Sequence, residues 1–389
     1  MIIPSERHYD LDWIRVLVVI MLIPFHTAMT YAPFPWYLRN NEINLATQAL
    51  IQVLDQYHME LLFLVAGAAT LFSLGIRTGK SYLVERLKRL VVPLIFGMLV
   101  VVPPCYYVVA RSFYFYRDSF WQWYPTFITS NIIPFQSDFQ AGALWFLWYL
   151  VLYTAVLFPI FYIVRKKIST SLLSKLANFF SHRGAIFLLV IPIALVEIYC
   201  TWTITSDFVV PYYALFFIYG FLLFSEKEFQ YGIERSGPIA LVGAVITMTL
   251  FMLIAFPSWD KSVLGFTFWT NLGSEPGTVG FILYRILISI TTWFWIVGIL
   301  YLAKKFLSFN NRLLQYGSEA VLPYYILHST FIAYIGMYVI SWDMDVLSKY
   351  VINTVLAFAA TAICYEILRR FNTTRFLFGM RLKKSTNGE

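Results

Sequence analysis

The chain alternates long apolar stretches with short polar ones, and the apolar stretches set the architecture. A helix that crosses a bilayer needs about 20 consecutive apolar residues. On that criterion ten spans are predicted, over residues 11–31, 57–76, 87–109, 142–164, 184–204, 210–224, 238–257, 281–303, 320–341 and 350–369. The sixth is short. "NEINLATQALIQVLDQ" (41–56) is mildly amphipathic and is expected to lead into the second span along the outer surface. No soluble domain, internal repeat or low-complexity tract interrupts the series. The pattern predicts an all-α integral membrane bundle forming one domain over residues 1–389, with an outer loop at about 110–141 and a tail at about 370–389. The first apolar run is too long for the core of a cleaved signal, and no small-residue cleavage site follows it. It reads as a retained helix.

Composition strengthens this reading. Of 389 residues, 59% are hydrophobic and only 13% charged, against roughly 25% charged in a soluble domain; the mean hydropathy is +0.68. A formal charge of +8 raises the thought of nucleic acid, but its distribution argues otherwise. With a cytoplasmic N-terminus, the predicted inner segments and the adjoining helix ends hold 22 of the 29 Lys and Arg. The outer segments hold Arg39, Arg111, Arg117, Lys261 and Lys349, and the spans themselves only Arg15 and Arg285. This is the positive-inside asymmetry expected of an even number of spans with both termini in the cytoplasm. The partner implied is a lipid bilayer, in a multi-pass cell-membrane protein, and no nucleic acid. Cys105, Cys200 and Cys364 show no metal or redox spacing. Cys105 and Cys200 both fall near the outer face, which leaves a disulfide between them open.

The chemistry lies in the polar residues placed inside apolar runs. Arg15 and His26 are eleven positions apart in the first span. At about 100° per residue that is three turns plus roughly 20°, so both leave the same helix face. The rise is about 16 Å, which puts Arg15 near the cytoplasmic boundary and His26 beyond the midplane. Asp12, one turn before Arg15, is placed to hold its guanidinium. Arg15 near a helix end is also a candidate for snorkelling, and His26 for a plain hydrogen bond within the bundle. Ionisable groups at membrane depth are nevertheless functional candidates by default. His58 and Glu60 open the second span, where they are either interfacial anchors or the groups that orient His26. Arg86 and Arg89, with Lys88 between them, sit at the inner end of the third span. They serve either the positive-inside rule or the phosphates of an anionic ligand. Glu197, Arg285, His328 and Glu366 are further buried polar groups, and Glu197 and Arg285 fall in the same half of the membrane, where they can pair. The aromatic stretch "SFYFYRDSFWQWYPTFI" of the outer loop reads as an interfacial belt or as a sugar-stacking surface.

Taken in order, these motifs resemble the acyltransferase-3 family of membrane acyltransferases. The resemblance rests on Arg15 and His26 with ten residues between them, and on the block "HMELLFLVAGAATLFSLGIRTGKSYLVERLKRLVVPLIFGML" with its Arg86-x-x-Arg89 pair. "LWFLWYLVLY" (144–153), "YYILHSTFI" (324–332) and "YEILRRFNTTRFLFG" (365–379) continue it. "IPFHTAMTY" and the last stretch are most similar to the periplasmic-glucan succinyltransferase branch. Two positions depart from the common pattern: Ala143 stands where many members have histidine, and Glu60 where many have proline. The resemblance implies transfer of an acetyl or succinyl group from cytoplasmic acyl-CoA to a hydroxyl of an extracytoplasmic glycan, in a bacterial membrane. Within it, His26 is expected as the general base, with Glu60 or His58 orienting it. Arg15, Arg86 and Arg89 are expected to bind the donor, with Asp12 and His328 as further substrate contacts. No metal and no tightly bound cofactor is expected; glycan-assembly proteins are candidate partners. A proton-coupled transporter lined by His26, Glu197, Arg285 and His328 is the rival reading, but no matched halves with broken helices support it. A non-catalytic scaffold is the third.

Overall fold

The computed structural model describes residues 7–33, 36–131, 141–167, 170–203, 210–255 and 276–383. Lys261, part of the outer loop (132–140) and the last tail residues (384–389) lie outside the described residues. The described residues form helices and no strand. Eight helical runs are long and apolar enough to cross a membrane: Tyr9–Thr30, Leu45–Ile76, Gly79–Phe113, Gly142–Val164, Lys227–Ile254, Val279–Phe306, Arg312–Val339 and Val346–Leu368. The other two predicted spans are also helical, at 185–203 and 210–223. The fifth belongs to a pair, Leu172–Phe180 and Ala185–Thr201, bent by 114°. The sixth, Val210–Leu223, has 14 residues, about 21 Å of helix and shorter than a bilayer core. Residues 41–56 contain the helix Leu45–Asp55, which leads into His58–Ile76 as one apolar run of 32 residues, with only Gln56 and Tyr57 outside helical geometry. The disulfide left open between Cys105 and Cys200 is not formed: Cys105, Cys200 and Cys364 are all unbonded.

The chain divides into two compact units. Unit 1 holds residues 1–14, 52–79 and 156–310; unit 2 holds 15–51, 80–155 and 311–389. In unit 1 the helices His58–Ile76 and Val210–Leu223 meet backbone to backbone. A Cβ on Gly67 would lie 1.9 Å from Phe217 O, and one on Gly220 1.8 Å from Leu64 O. Only glycine permits this approach, the small-residue packing that membrane helices use where no hydrophobic force drives association. Unit 1 also stacks Lys227–Ala255 on Val279–Phe306, with Thr278 capping the latter by accepting from Phe281 N at 3.2 Å.

Unit 2 is built around the proline-rich run Gly79–Phe113. It contains two π-helical turns, Leu87–Val91 and Gly97–Val101, before Pro93 and before Pro103 and Pro104 respectively. Proline has no N–H to donate, so the carbonyl four residues earlier loses its helical partner. Leu99 O, which Pro103 cannot serve, accepts instead from Tyr124 Oη at 2.9 Å. Val101 O accepts from Thr330 Oγ1 at 2.9 Å. The bulges thus tie the amphipathic helix Phe120–Asn131 and the helix Arg312–Val339 to this run. Asn311 and Asp345 cap the two last long helices through Leu314 N (2.8 Å) and Ser348 N (3.0 Å).

Candidate active site

Unit 2 contains His26, Arg15, Arg86, Arg89 and His328; Asp12, His58 and Glu60 belong to unit 1. Within unit 2 the two histidines meet. His328 Nε2 lies 3.1 Å from His26 Nδ1, although 302 residues separate them. His328 is 1% exposed. Its Nδ1 faces the carbonyls of Tyr325 at 2.7 Å and Tyr324 at 3.2 Å. A carbonyl only accepts, so that Nδ1 carries the hydrogen and the Nε2 of the neutral ring accepts. The His26 atom opposite is therefore a donor. This agrees with its second neighbour, Leu22 O at 3.0 Å. The network fixes the His26 tautomer with hydrogen on Nδ1 and a lone pair on Nε2.

The ring of His26 is held from several sides. Trp36 stacks on it at 5.7 Å and 23°, and Phe25 meets it edge-on at 5.0 Å. Pro24 interrupts the first helix just before it, and Tyr350 Oη donates to the Pro24 carbonyl at 3.4 Å. Beside His328, the Tyr325 hydroxyl donates to Ala143 O, and Ala143 N donates to Tyr37 Oη at 3.0 Å. Gly142 reaches this position with φ +51°, a backbone conformation that costs glycine little. The backbone of Ala143 is thus gripped from both sides at the place where a histidine was expected on the family pattern. Cys105 Sγ sits 3.2 Å from Thr330 Oγ1 in the turn after His328.

Toward the start of the Gly79–Phe113 run lies a cleft of about 260 Å³ lined by Glu85, Lys88, Arg89, Phe376, Gly379, Met380 and Leu382. Arg89 Nε is 3.3 Å from Glu85 Oε1, and Arg86 Nε donates to Tyr82 Oη at 3.2 Å. One wall is the C-terminal hook after Asn372–Leu377. Gly379 has φ +67°, and a Cβ there would lie 2.9 Å from Arg89 O and 2.6 Å from Leu322 Cδ2. Arg375, 5% exposed, anchors the hook. It pairs with Glu319 and donates to Arg381 O at 2.6 Å and Arg369 O at 3.1 Å. Glu319 also accepts from Tyr365 Oη at 3.3 Å. Glu319 and His328 are nine residues apart on one helix, about 14 Å along its axis. Arg15 precedes Val16, whose side chain fills the notch at Gly317 on that same helix.

Unit 1 assembles the remaining candidates differently. Asp12 accepts from Arg7 Nε at 3.0 Å and Nη2 at 2.9 Å. His58 Nδ1 lies 2.8 Å from Leu54 O, and His58 and Glu60 are 5% and 4% exposed. Glu197 and Arg285 form the expected pair, at 3.2 Å, with the Arg285 guanidinium over Phe281 and Tyr284. Among the described residues no group of His, Cys, Asp or Glu is arranged to hold a metal ion.

Sequence reasoning missed Trp36, Tyr37, Tyr106 and the Glu319–Arg375 anchor. Tyr325 was within reach, three residues before His328 and therefore on its face. An ion pair 56 positions apart carries no local signal.

Comparison with known proteins places these groups in context. The sequence profile of a family described as "Acyltransferase domain" matches residues 8–367. Among curated proteins, the chain is similar to "Glucans biosynthesis protein C" of Salmonella schwarzengrund, 22% identical over 395 residues. It is similar to the proteins of that name from Salmonella typhimurium and Salmonella typhi, each 21% identical over 392 residues. Each alignment covers 97% of this chain and 95% of the relative. No solved structure matches.

Proposed function

Since the chain belongs to this acyltransferase family and is a multi-pass membrane protein, we propose that it moves an acyl group from cytoplasmic acyl-CoA to a hydroxyl of an extracytoplasmic glucan. The glucan is supported by the name of its relatives. The observation that carries the reading is the His26–His328 pair. His26 Nε2 takes the proton of the acceptor hydroxyl as its oxygen attacks the thioester carbonyl. The new C–O bond forms, the C–S bond breaks, and the thiolate leaves with the proton returned by His26. While His26 is an imidazolium, its Nδ1–H donates to His328 Nε2 and Leu22 O, which hold the ring and spread its charge. His328 thereby fills the place a carboxylate has in a hydrolase triad. The orienting role expected of Glu60 or His58 passes in this reading to His328. A base poised near neutrality suits the step.

The donor is held by charge. The cleft beside Arg89 and Lys88, with Arg86 on the preceding turn and Arg15 on the first helix, offers cations to phosphates and apolar walls to a base ring. Labelled acetyl- or succinyl-CoA incubated with purified protein and gluco-oligosaccharide should yield labelled sugar, and His26→Ala should yield none while inserting normally. Transfer at the wild-type rate by that variant would refute the mechanism.

A further inference from the structure

A continuous file of aromatic rings runs from the amphipathic helix Phe120–Asn131 to His26. Trp123 stacks on Phe127 at 4.7 Å and 24°, and Phe127 on Tyr106 at 5.3 Å and 30°. Tyr106 meets Tyr37 edge-on at 5.4 Å, Tyr37 contacts Trp36 at 4.9 Å, and Trp36 lies on His26. All six residues belong to unit 2. A membrane-interface belt would turn its rings toward lipid, yet Phe127 and Tyr37 are 4% and 8% exposed. Trp123, Tyr106, Trp36 and His26 are half-buried, and these are the rings of the file that a ligand can touch. At its far end, beyond the end of the Gly79–Phe113 run opposite Arg86, three rings stand almost fully exposed: Tyr114 (78%), Phe115 (79%) and Trp121 (77%). Phe115 has φ +53°. For a bulky residue this is a strained conformation, and such strain persists where it serves a site.

The helix is also pinned rather than floating. Tyr124 holds the orphaned Leu99 carbonyl, and Tyr107 Oη donates to Asp118 O at 2.8 Å. Gln122 accepts from Ser119 N and Oγ at the helix start. Arg117, Asp118 and Gln122 supply donors and acceptors around the exposed rings, which is the mixture a sugar needs: aromatic faces for its C–H face and polar groups for its hydroxyls.

We propose that this file is the acceptor track, on which a linear oligosaccharide several residues long lies with its chain on the Tyr114–Trp121 crown and its reacting end delivered to His26. This deepens the glycan-acyltransferase reading and rests on it. A single sugar bound at His26 would not reach the crown, so the rings there contribute affinity only for longer chains. The test measures binding and transfer separately. Fluorescently labelled glucose disaccharide and a longer linear gluco-oligosaccharide are titrated into detergent-solubilised His26→Ala protein, alone and with Trp121→Ala or Trp123→Leu added. Phe371→Ala, a 60% exposed ring elsewhere in unit 2, is the control. Each track substitution should weaken the longer sugar roughly threefold to tenfold and leave the disaccharide and the control unchanged. Trp121 is exposed enough that its loss leaves the fold intact. Unchanged binding of the longer sugar, or an equal loss for both lengths, would overturn the track. Length-dependent binding in the His26→Ala background, together with no acyl transfer to glucan by the protein that keeps His26, would support the track and refute the acyltransfer reading instead.

Discussion

One polar pair in each unit makes the comparison. In unit 1, Glu197 and Arg285 form an ion pair across 3.2 Å, so charge meets charge. In unit 2, two histidines face each other, and hydrogen bonds to each other and to the carbonyls of Leu22 and Tyr325 orient both rings. An ion pair holds helices together; an imidazole oriented by hydrogen bonds can do chemistry. The difference teaches that buried polarity in a membrane chain is not one signal: what matters is which groups meet.

That comparison makes graded predictions. The largest effect is expected from His26→Ala, which should lower acyl transfer on the order of 10²–10⁴-fold with little change in thermal unfolding. His328→Ala should cost on the order of 10²-fold in kcat through misplacement of the base, with donor KM nearly constant; steady-state kinetics separate the two. Arg375→Ala should release the hook beside Arg89, raising donor KM severalfold while kcat persists, with Arg375→Lys partly restoring it. Unit 1 should answer in the opposite way. Glu197→Ala strands the Arg285 guanidinium and should cost about 3 kcal/mol of stability in a detergent melt, whereas Glu60→Gln should leave kcat within roughly threefold. A loss from Glu60→Gln as large as that from His328→Ala would return Glu60 to the orienting role and break the division between the units.

The smallest effect concerns Asp345, where hydrogen bonds from the Ser348 hydroxyl and backbone N–H hold the carboxyl below the usual carboxylate range. A folded value below the unfolded one of about 4 means that the cap's contribution is present above that pH and fades as pH falls through the folded value. Asp345→Asn should erase that part of the pH dependence, lowering the melting temperature slightly near neutrality and leaving it unchanged in acid, where the carboxyl is protonated.

Much of this was legible in the chain and some was not, for physical reasons. Long apolar runs announce helices because a bilayer leaves few alternatives, so the positions of the predicted spans hold. The fifth and sixth lie where expected, at 185–203 and 210–223, but apolarity says nothing about the 114° bend that separates the fifth from the helix ending at Phe180. Pro93, Pro103 and Pro104 warned of a disturbed third helix without specifying π turns. Arg15 and His26 share a helix, so their common face was readable by arithmetic. His328 was visible as a polar residue in an apolar run, but its meeting with His26 depends on how separate helices pack. Whether Cys105 and Cys200 bond was not decidable from the sequence; both are free, and Cys105 contacts Thr330.

The most direct test of the His26–His328 pair is a double-mutant cycle on the acyl-transfer rate in purified protein. Groups that act as one unit lose their function once. His26→Ala/His328→Ala should therefore be no slower than His26→Ala alone, although His328→Ala is strongly impaired by itself. Two losses that multiply in the double variant would contradict the pair.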